Sequence, residues 1–384
     1  MPTQLASTLF LGIAAIPFIY YGIVLFSCWR FFRRPASEHN PAFAPPVSIL
    51  KPIRGLDPEA YENFASFCRL DYPEYEILFC VSGRDDDALP LIERLISEYP
   101  ERQIRVLFGS GRDATNDKVA KLARLTNEAR YEHVVISDSD VRVRPDYLRK
   151  VVAPLGDPKI GAVTCFYLPI EEHTFVDHLQ SVGMMSDFYA GIIVAWQLDG
   201  VKFALGPTIA TTRTRLAGFG GYEAIENRPA DDLLVGRLIA DQGVEVELSR
   251  YPVETVADYG SFSELLHKRL RWIVVMRHLR PWGHFGLIFT HGLAWSIAAV
   301  AVHPTLAVAG VYMGGYFAVR CAIAALIAGW GLGQRGFWSE LPLIPLWDAV
   351  AFAIWSASFA RRSIRWRGSD YYIRGGALVP VNPD

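Results

Sequence analysis

Apolar and polar positions alternate between two regimes along this chain, long uncharged runs at both ends and short punctuated runs in the middle. In the middle, residues 47–50, 76–81, 104–108, 133–137 and 160–165 are short apolar runs that read as buried strands. Between them, residues 58–69, 88–98, 118–129 and 145–152 carry helical periodicity. Strands alternating with helices predict a mostly parallel, Rossmann-like α/β sheet with right-handed crossovers, over a domain of residues 45–275. Residues 33–46, rich in proline, and 280–284 read as linkers, and Asn227-Arg228-Pro229 as a loop entering a helix at Ala230.

The end runs are of a different kind. Residues 9–29 are long enough and apolar enough to cross a bilayer, and Arg30, Arg33 and Arg34 follow at once. The positive-inside rule then places the following domain in the cytoplasm, with residues 1–34 as an N-terminal transmembrane anchor. A cleaved signal peptide is disfavoured, because no basic residue precedes the run and the run is long and aromatic. Residues 285–303, 305–330 and 341–360 are three further apolar stretches within a C-terminal membrane region, 284–384. Three spans would leave the tail outside, yet Arg361, Arg362, Arg365 and Arg367 argue for a cytoplasmic tail. One stretch is therefore re-entrant, or two form one broken unit. Arg320 is the obvious charge inside these stretches and reads as lying near a helix end.

Composition narrows the chemistry. Hydrophobic residues make up 51% of the 384 and the net charge is −2, which gives no electrostatic reason to expect nucleic acid. Five scattered cysteines argue against a disulfide framework, and nine histidines show no zinc-ligand spacing. No glycine-rich phosphate loop follows any strand. A bound nucleotide would have to be held by carboxylates and a metal.

Asp138-Ser139-Asp140, directly after the run 133–137, is the most informative local pattern. Two carboxylates one residue apart at the C-terminal end of a buried strand can grip Mg²⁺ or Mn²⁺, and such a cation would carry a diphosphate. Asp85-Asp86-Asp87 follows the run 76–81. Lys118, in Asn116-Asp117-Lys118, puts a point cation at a helix start, suited to a diphosphate or a uracil carbonyl. Asp231-Asp232 opens the helix after Pro229, where a carboxylate can cap the helix or act as a base facing a ligand crevice. Lys268-Arg269-Leu270-Arg271-Trp272 lies just before the membrane region and reads either as an interfacial anchor or as a cationic clamp on a leaving diphosphate.

The order Asp86, Asp138, Asp232, then Lys268-x-x-Arg271-Trp272, flanked by membrane segments, resembles the membrane glycosyltransferases of the ceramide glucosyltransferase type, family 21. The stretch Val47 to Pro58 (VSILKPIRGLDP), the run Leu70-Asp71-Tyr72-Pro73, and Trp366-Arg367-Gly368 with Tyr372, Arg374, Gly375 and Gly376 are similar as well. Two positions depart from the pattern. Lys268 stands where Gln or Arg is usual, and Asp117 where an N-P-K element has proline. Arg280-Pro281-Trp282-Gly283 and Thr290-His291 are closer to a bacterial hopanoid-associated branch.

The resemblance implies a GT-A-like fold and an inverting transfer of glucose or N-acetylglucosamine from a UDP-sugar to a ceramide or hopanoid hydroxyl in the membrane. It further implies Asp86 at the uridine with Lys118 assisting, Asp138 and Asp140 at the metal, and Asp232 as general base. Lys268 and Arg271 would sit on the departing UDP, with Trp272 packed nearby. Other readings are a processive polysaccharide synthase, a polyprenyl-phosphate sugar transferase, a membrane-anchored sugar-nucleotide sensor and a transporter. Residues 188–195 and 203–205 are apolar stretches expected to dip into the headgroup region.

Overall fold

Strands β1 (Val47–Pro52) and β2 (Tyr75–Val81) are buried at every position, as mostly apolar runs are when both faces of a sheet are covered, and the polar Ser48, Lys51 and Glu76 within them are buried too. They belong to an eight-stranded sheet with β3 (Gln103–Phe108), β4 (His133–Ile136), β5 (Val141–Arg142), β6 (Ile160–Ile170), β7 (Ile209–Thr212) and β8 (Glu245–Val256). The strand order is β3-β2-β1-β4-β7-β6-β8-β5. β1, β2, β3 and β4 run parallel, as do β6 and β8, while β7 is antiparallel to both its neighbours and β5 to β8. The sheet is thus the mostly parallel one expected, with two antiparallel insertions. The chain steps outward from β1 to β2 and β3, then returns to pair β4 on the other side of β1. That reversal makes a topological switch point between β1 and β4, where open α/β sheets leave a crevice beyond the carboxyl ends of the strands.

The computed structural model describes residues 2–34, 40, 42–112, 114–256, 260–366 and 369–381. Arg367 and Gly368, part of the tail motif, lie outside the described residues, as do positions 35–39 and 41 of the linker 33–46. Two compact units emerge: one of Ala36–Glu172 with Val201–Asp258, the other of Met1–Pro35, His173–Gly200 and Tyr259–Asp384. The first holds the large sheet and a core in which Phe64, Phe67 and Tyr147 pack on the β1–β2 side chains.

The second unit holds the helices that are long and apolar enough to cross a membrane: Gln4–Arg33, Leu306–Gly331 and Gly336–Ser358. A fourth candidate, Pro281–Thr290 with Gly292–Val302, is bent by 53° at its break. Of the three C-terminal stretches, the first is therefore the broken one. Arg320 does not lie near a helix end. It sits in the interior of Leu306–Gly331, where it forms a buried ion pair with Asp348, a carboxylate that the sequence reading passed over.

The mid-chain insertion His173–Gly200 is helical, Phe175–Gly183 and Tyr189–Asp199 joined by the π-turn Met184–Phe188, and falls in this unit. Phe31 of the N-terminal helix packs edge-on against Trp196, with ring centroids 5.1 Å apart. Residues 203–205 instead belong to the sheet unit, where they pack under a helix described below. The segment after Ser358 folds into a three-stranded antiparallel sheet, β9 (Ser363–Trp366), β10 (Ser369–Arg374) and β11 (Ala377–Pro380).

Candidate active site

The crevice at the switch point is lined by charge. β4 ends at Ile136, and the next residues turn so that the Asp138 carboxylate is half-buried. Lys118 Nζ lies 2.5 Å from Asp138 Oδ1 and 3.6 Å from Asp231 Oδ2. Burial works against the Lys118 charge, but the two carboxylates outweigh it and hold the ammonium well above its ordinary pKa.

Lys118 is delivered there by local chemistry. Asn116 caps the helix Asp117–Glu128, its side-chain oxygen accepting from the Val119 N–H, while its amide donates to the Arg228 carbonyl 3.1 Å away. The Thr115 N–H donates to Asn227 Oδ1, and the Asn116 N–H to the Glu226 carbonyl. Two loops 112 residues apart in sequence are thereby stitched together, so Lys118 meets the start of the helix Asp231–Ala240.

That helix begins at Asp231 rather than Ala230. Ala230 precedes it in the left-handed region at φ 56°, a conformation that costs a non-glycine residue on the order of 1 kcal/mol. The helix is pressed against residues 203–204: a Cβ on Gly236 would fall 2.1 Å from the Phe203 carbonyl carbon. The same close approach aims Asp232. A Cβ on Gly206 would meet Asp138 Oδ2 and Asp232 Oδ2, each at 3.3 Å, so both carboxylates converge on one point beside the Gly206 backbone. Burial first, and the Asp231 charge second, push the Asp232 pKa up to about 6, against the opposing pull of Lys118. A carboxyl held near neutrality can exchange a proton with a hydroxyl, which an ordinary surface aspartate does poorly.

Two lysines complete the crevice, and neither was singled out by sequence reasoning. Lys51, fully buried on β1, donates to the Asp138 carbonyl at 2.8 Å and stacks 3.8 Å over the Phe67 ring. Burial pulls its pKa down to about 7, although Asp138, Asp140 and Asp57 resist. Lys121, also buried, donates to the Ile53 carbonyl and Ser82 Oγ and pairs with Asp117 at 3.0 Å. The available signal was a charged residue inside an otherwise apolar strand or helix face, which is rarely tolerated without a partner.

Asp86 is engaged in its own loop. Its carboxylate accepts from the Ser82 and Ala88 N–H groups at 3.0 and 3.1 Å. Burial tends to raise its pKa, but those backbone donors win and hold it below the usual carboxylate value. Asp86 does not touch the Asp138–Asp232 pair directly. Its loop is joined to the Lys118 helix through Ser82 and Lys121.

Asp138 offers a hard oxygen ligand in this crevice, and Asp140, two residues on, lies near enough to act on the Lys51 charge. Among the described residues no cluster of three or more His, Cys, Asp or Glu is set to hold a metal ion by itself. A pair of carboxylates nonetheless fits Mg²⁺ or Mn²⁺, which usually take one or two carboxylates and complete their shell with substrate phosphates and water.

Lys268, Arg271 and Trp272 lie in the other unit, on the helix Phe262–Leu279. The Trp272 ring sits 6.2 Å from Phe188 and 4.9 Å from the Arg269 guanidinium. Arg269, which was given no role, is the buried cation of this motif: it donates to Gln180 Oε1 at 2.8 Å. Arg271 lies 5.8 Å over the Trp366 ring.

Comparison with known proteins supplies the remaining facts. The model of the family described as Glycosyl transferase family 21 matches residues 9–379. Ceramide glucosyltransferase 3 of Caenorhabditis elegans is 23% identical over 402 residues, spanning 99% of this chain and 85% of that protein. A ceramide glucosyltransferase of Komagataella phaffii is 32% identical over 155 residues, but these cover 38% of this chain and 30% of the relative. The structure of mannosyltransferase PcManGT from Pyrobaculum calidifontis, in complex with GDP-Man and Mn²⁺, superposes with a TM-score of 0.60 at 18% identity, covering 90% of this chain and 97% of that one. The fold is the GT-A-like one expected from the sequence.

Proposed function

Because this chain belongs to glycosyl transferase family 21, we propose that it transfers glucose or N-acetylglucosamine from a UDP-sugar to a hydroxyl of a membrane lipid, a ceramide or a hopanoid polyol. One observation carries the reading: Asp138 and Asp232 converge beside Gly206, with Lys118 bound to Asp138, at the switch point of the sheet. A glycosyl transfer needs a leaving diphosphate neutralised, an acceptor hydroxyl deprotonated, and the two aligned.

In this reading Asp138 and Asp140 hold Mg²⁺ or Mn²⁺, which supplies charge neutralisation at the diphosphate. Lys118 adds a fixed positive charge at the same point, and Lys51 fixes the Asp138 backbone from behind. Asp232 takes the proton of the acceptor hydroxyl. A single displacement inverts the anomeric carbon, so an α-linked donor yields a β-linked glycolipid. Asp86 shapes the loop that meets the uridine. Lys268, Arg271 and Trp272 keep the part their motif implies, at the departing UDP. The catalytic unit faces the cytoplasm, as the arginines after the first span favour.

A lipid acceptor leaves the bilayer only at about 0.8 kcal/mol per exposed CH₂. An enzyme for such a substrate gains from membrane helices in the same chain. The deciding experiment incubates purified protein with UDP-glucose or UDP-N-acetylglucosamine and total membrane lipid, and identifies the product by mass spectrometry. A β-linked hexosyl lipid that disappears in Asp232→Asn is the expected result. Full activity in the presence of a chelator would remove the metal, and no lipid product with either donor would remove the function.

A further inference from the structure

The membrane unit contains a polar cavity that the transfer chemistry does not use. It is walled by Tyr20 and Tyr21 of the N-terminal helix, Asp187 of the π-turn, His291 at the bend of the broken helix pair, and the Arg320–Asp348 pair. Its water-accessible space is ≈ 10 Å³, room for about one water molecule. Ionisable groups inside helices of this apolarity are expensive and mark sites of function by default.

Most of the polar atoms here satisfy one another. Arg320 Nε and Nη2 donate to Asp348 at 2.8 and 2.5 Å, and the Tyr316 hydroxyl donates to the same carboxylate at 2.8 Å. The Tyr21 hydroxyl donates to the Thr290 carbonyl and accepts from the Gly292 N–H, both at 3.1 Å. One buried group is left over, and an exposed carboxylate stands beside it. His291 Nε2 is buried and has no hydrogen-bond partner among the described residues. Asp187 lines the same space.

A carboxylate and an imidazole nitrogen lining one water-sized space call for a small group that both donates and accepts. A phosphate is too large for this space. The walls supplied by Val24, Ala190 and Ala351 are apolar, so the group should ride on a hydrocarbon chain. We propose that this cavity seats a hydroxyl of a membrane lipid, its O–H donated to Asp187 and its oxygen facing His291 Nε2. The inference rests on the lipid-linked reading above for its substrate class, but the seated lipid need not be the one that is glycosylated.

The test is photolabelling of the full-length protein in phosphatidylcholine nanodiscs. The probe is a long-chain alcohol with a diazirine beside its hydroxyl carbon, compared with the methyl ether of the same probe. The alcohol should label peptides containing Tyr20, Asp187 or His291, and the ether about tenfold less, as loss of one buried hydrogen bond implies. Asp187→Asn and His291→Phe should each lower labelling by a similar factor. Ala351→Leu, which fills the space and touches no polar group, should abolish it, with UDP-sugar binding and melting temperature as controls of folding. Equal labelling by alcohol and ether, or labelling indifferent to all three variants, would mean that the cavity holds only a structural water. Failure of the glycosyl-transfer reading shows instead as absence of a glycolipid product whatever the labelling.

Discussion

At the scale of single residues, the candidate chemistry depends on oxygen atoms brought to within a few ångströms of one another. Asp232→Asn should lower turnover by about 10²–10⁴-fold, the usual contribution of a general base, while the dissociation constant for UDP-sugar stays nearly unchanged. Donor binding lost in parallel would make Asp232 a donor ligand instead. Gly206→Ala places a methyl 3.3 Å from both Asp138 and Asp232, within the space a substrate hydroxyl would need. This variant should fold with a near-native melting temperature and lose most of its activity; a fully active one would show that the carboxylates meet no substrate there. Asp138, Lys118 and Asp232 were legible in the sequence because acidic residues after a buried strand, and charges at helix starts, stand at positions that face ligands. Lys51 and Lys121 were not. Each sits within an apolar pattern, and only tertiary contact shows that its charge is spent on carbonyls and carboxylates beneath the site.

At the scale of elements, the helix Asp231–Ala240 is positioned by a missing side chain. Gly236→Ala would drive a methyl into the Phe203 backbone, and overpacking of this kind costs about 1–3 kcal/mol. Lower thermal stability together with displaced Asp232 chemistry is the expected outcome, read by melting curves and turnover in parallel. The Arg320–Asp348 pair makes a separate prediction. Removing one partner, as in Arg320→Met, leaves a buried carboxylate uncompensated and should destabilise by about 3–5 kcal/mol. The double variant Arg320→Met with Asp348→Leu should recover most of that loss in a thermal-shift measurement; no recovery would show that the other partners of Arg320, Ser186 among them, dominate. The parallel strands were readable because their runs are mostly apolar, and β1 and β2 are buried on both faces. The two-residue β5, and β7, β8 and β9 to β11, were missed. β8 mixes buried and exposed positions over twelve residues, and the last three strands are short, so their alternation merges with ordinary loop composition.

At the scale of the whole molecule, the bent pair Pro281–Thr290 and Gly292–Val302 offers a way to reconcile the membrane segments with the basic tail. If that pair enters and leaves on one side, the spans are Gln4–Arg33, Leu306–Gly331 and Gly336–Ser358, and Arg361, Arg362 and Arg365 return to the side of the sheet unit. A tag fused after residue 384 should then be reached by protease only when the cytoplasmic face is open. A tag exposed on the opposite face would require the bent pair to cross.

Sequence alone determined the class of the fold, the long apolar runs at the two ends and the residue types of the candidate site, because periodicity, run length and charge placement are local properties that act before the chain folds. It did not determine that Asp138 and Asp232, 94 positions apart in the numbering, share one point in space, nor that His173–Gly200 joins the membrane helices. Those outcomes depend on the return of β4 beside β1, on loops stitched through Asn116 and Asn227, and on the space left at Gly206 and Gly236. They are long-range contacts, decided by packing and by the pairing of buried polar groups, and no window along the chain contains both partners.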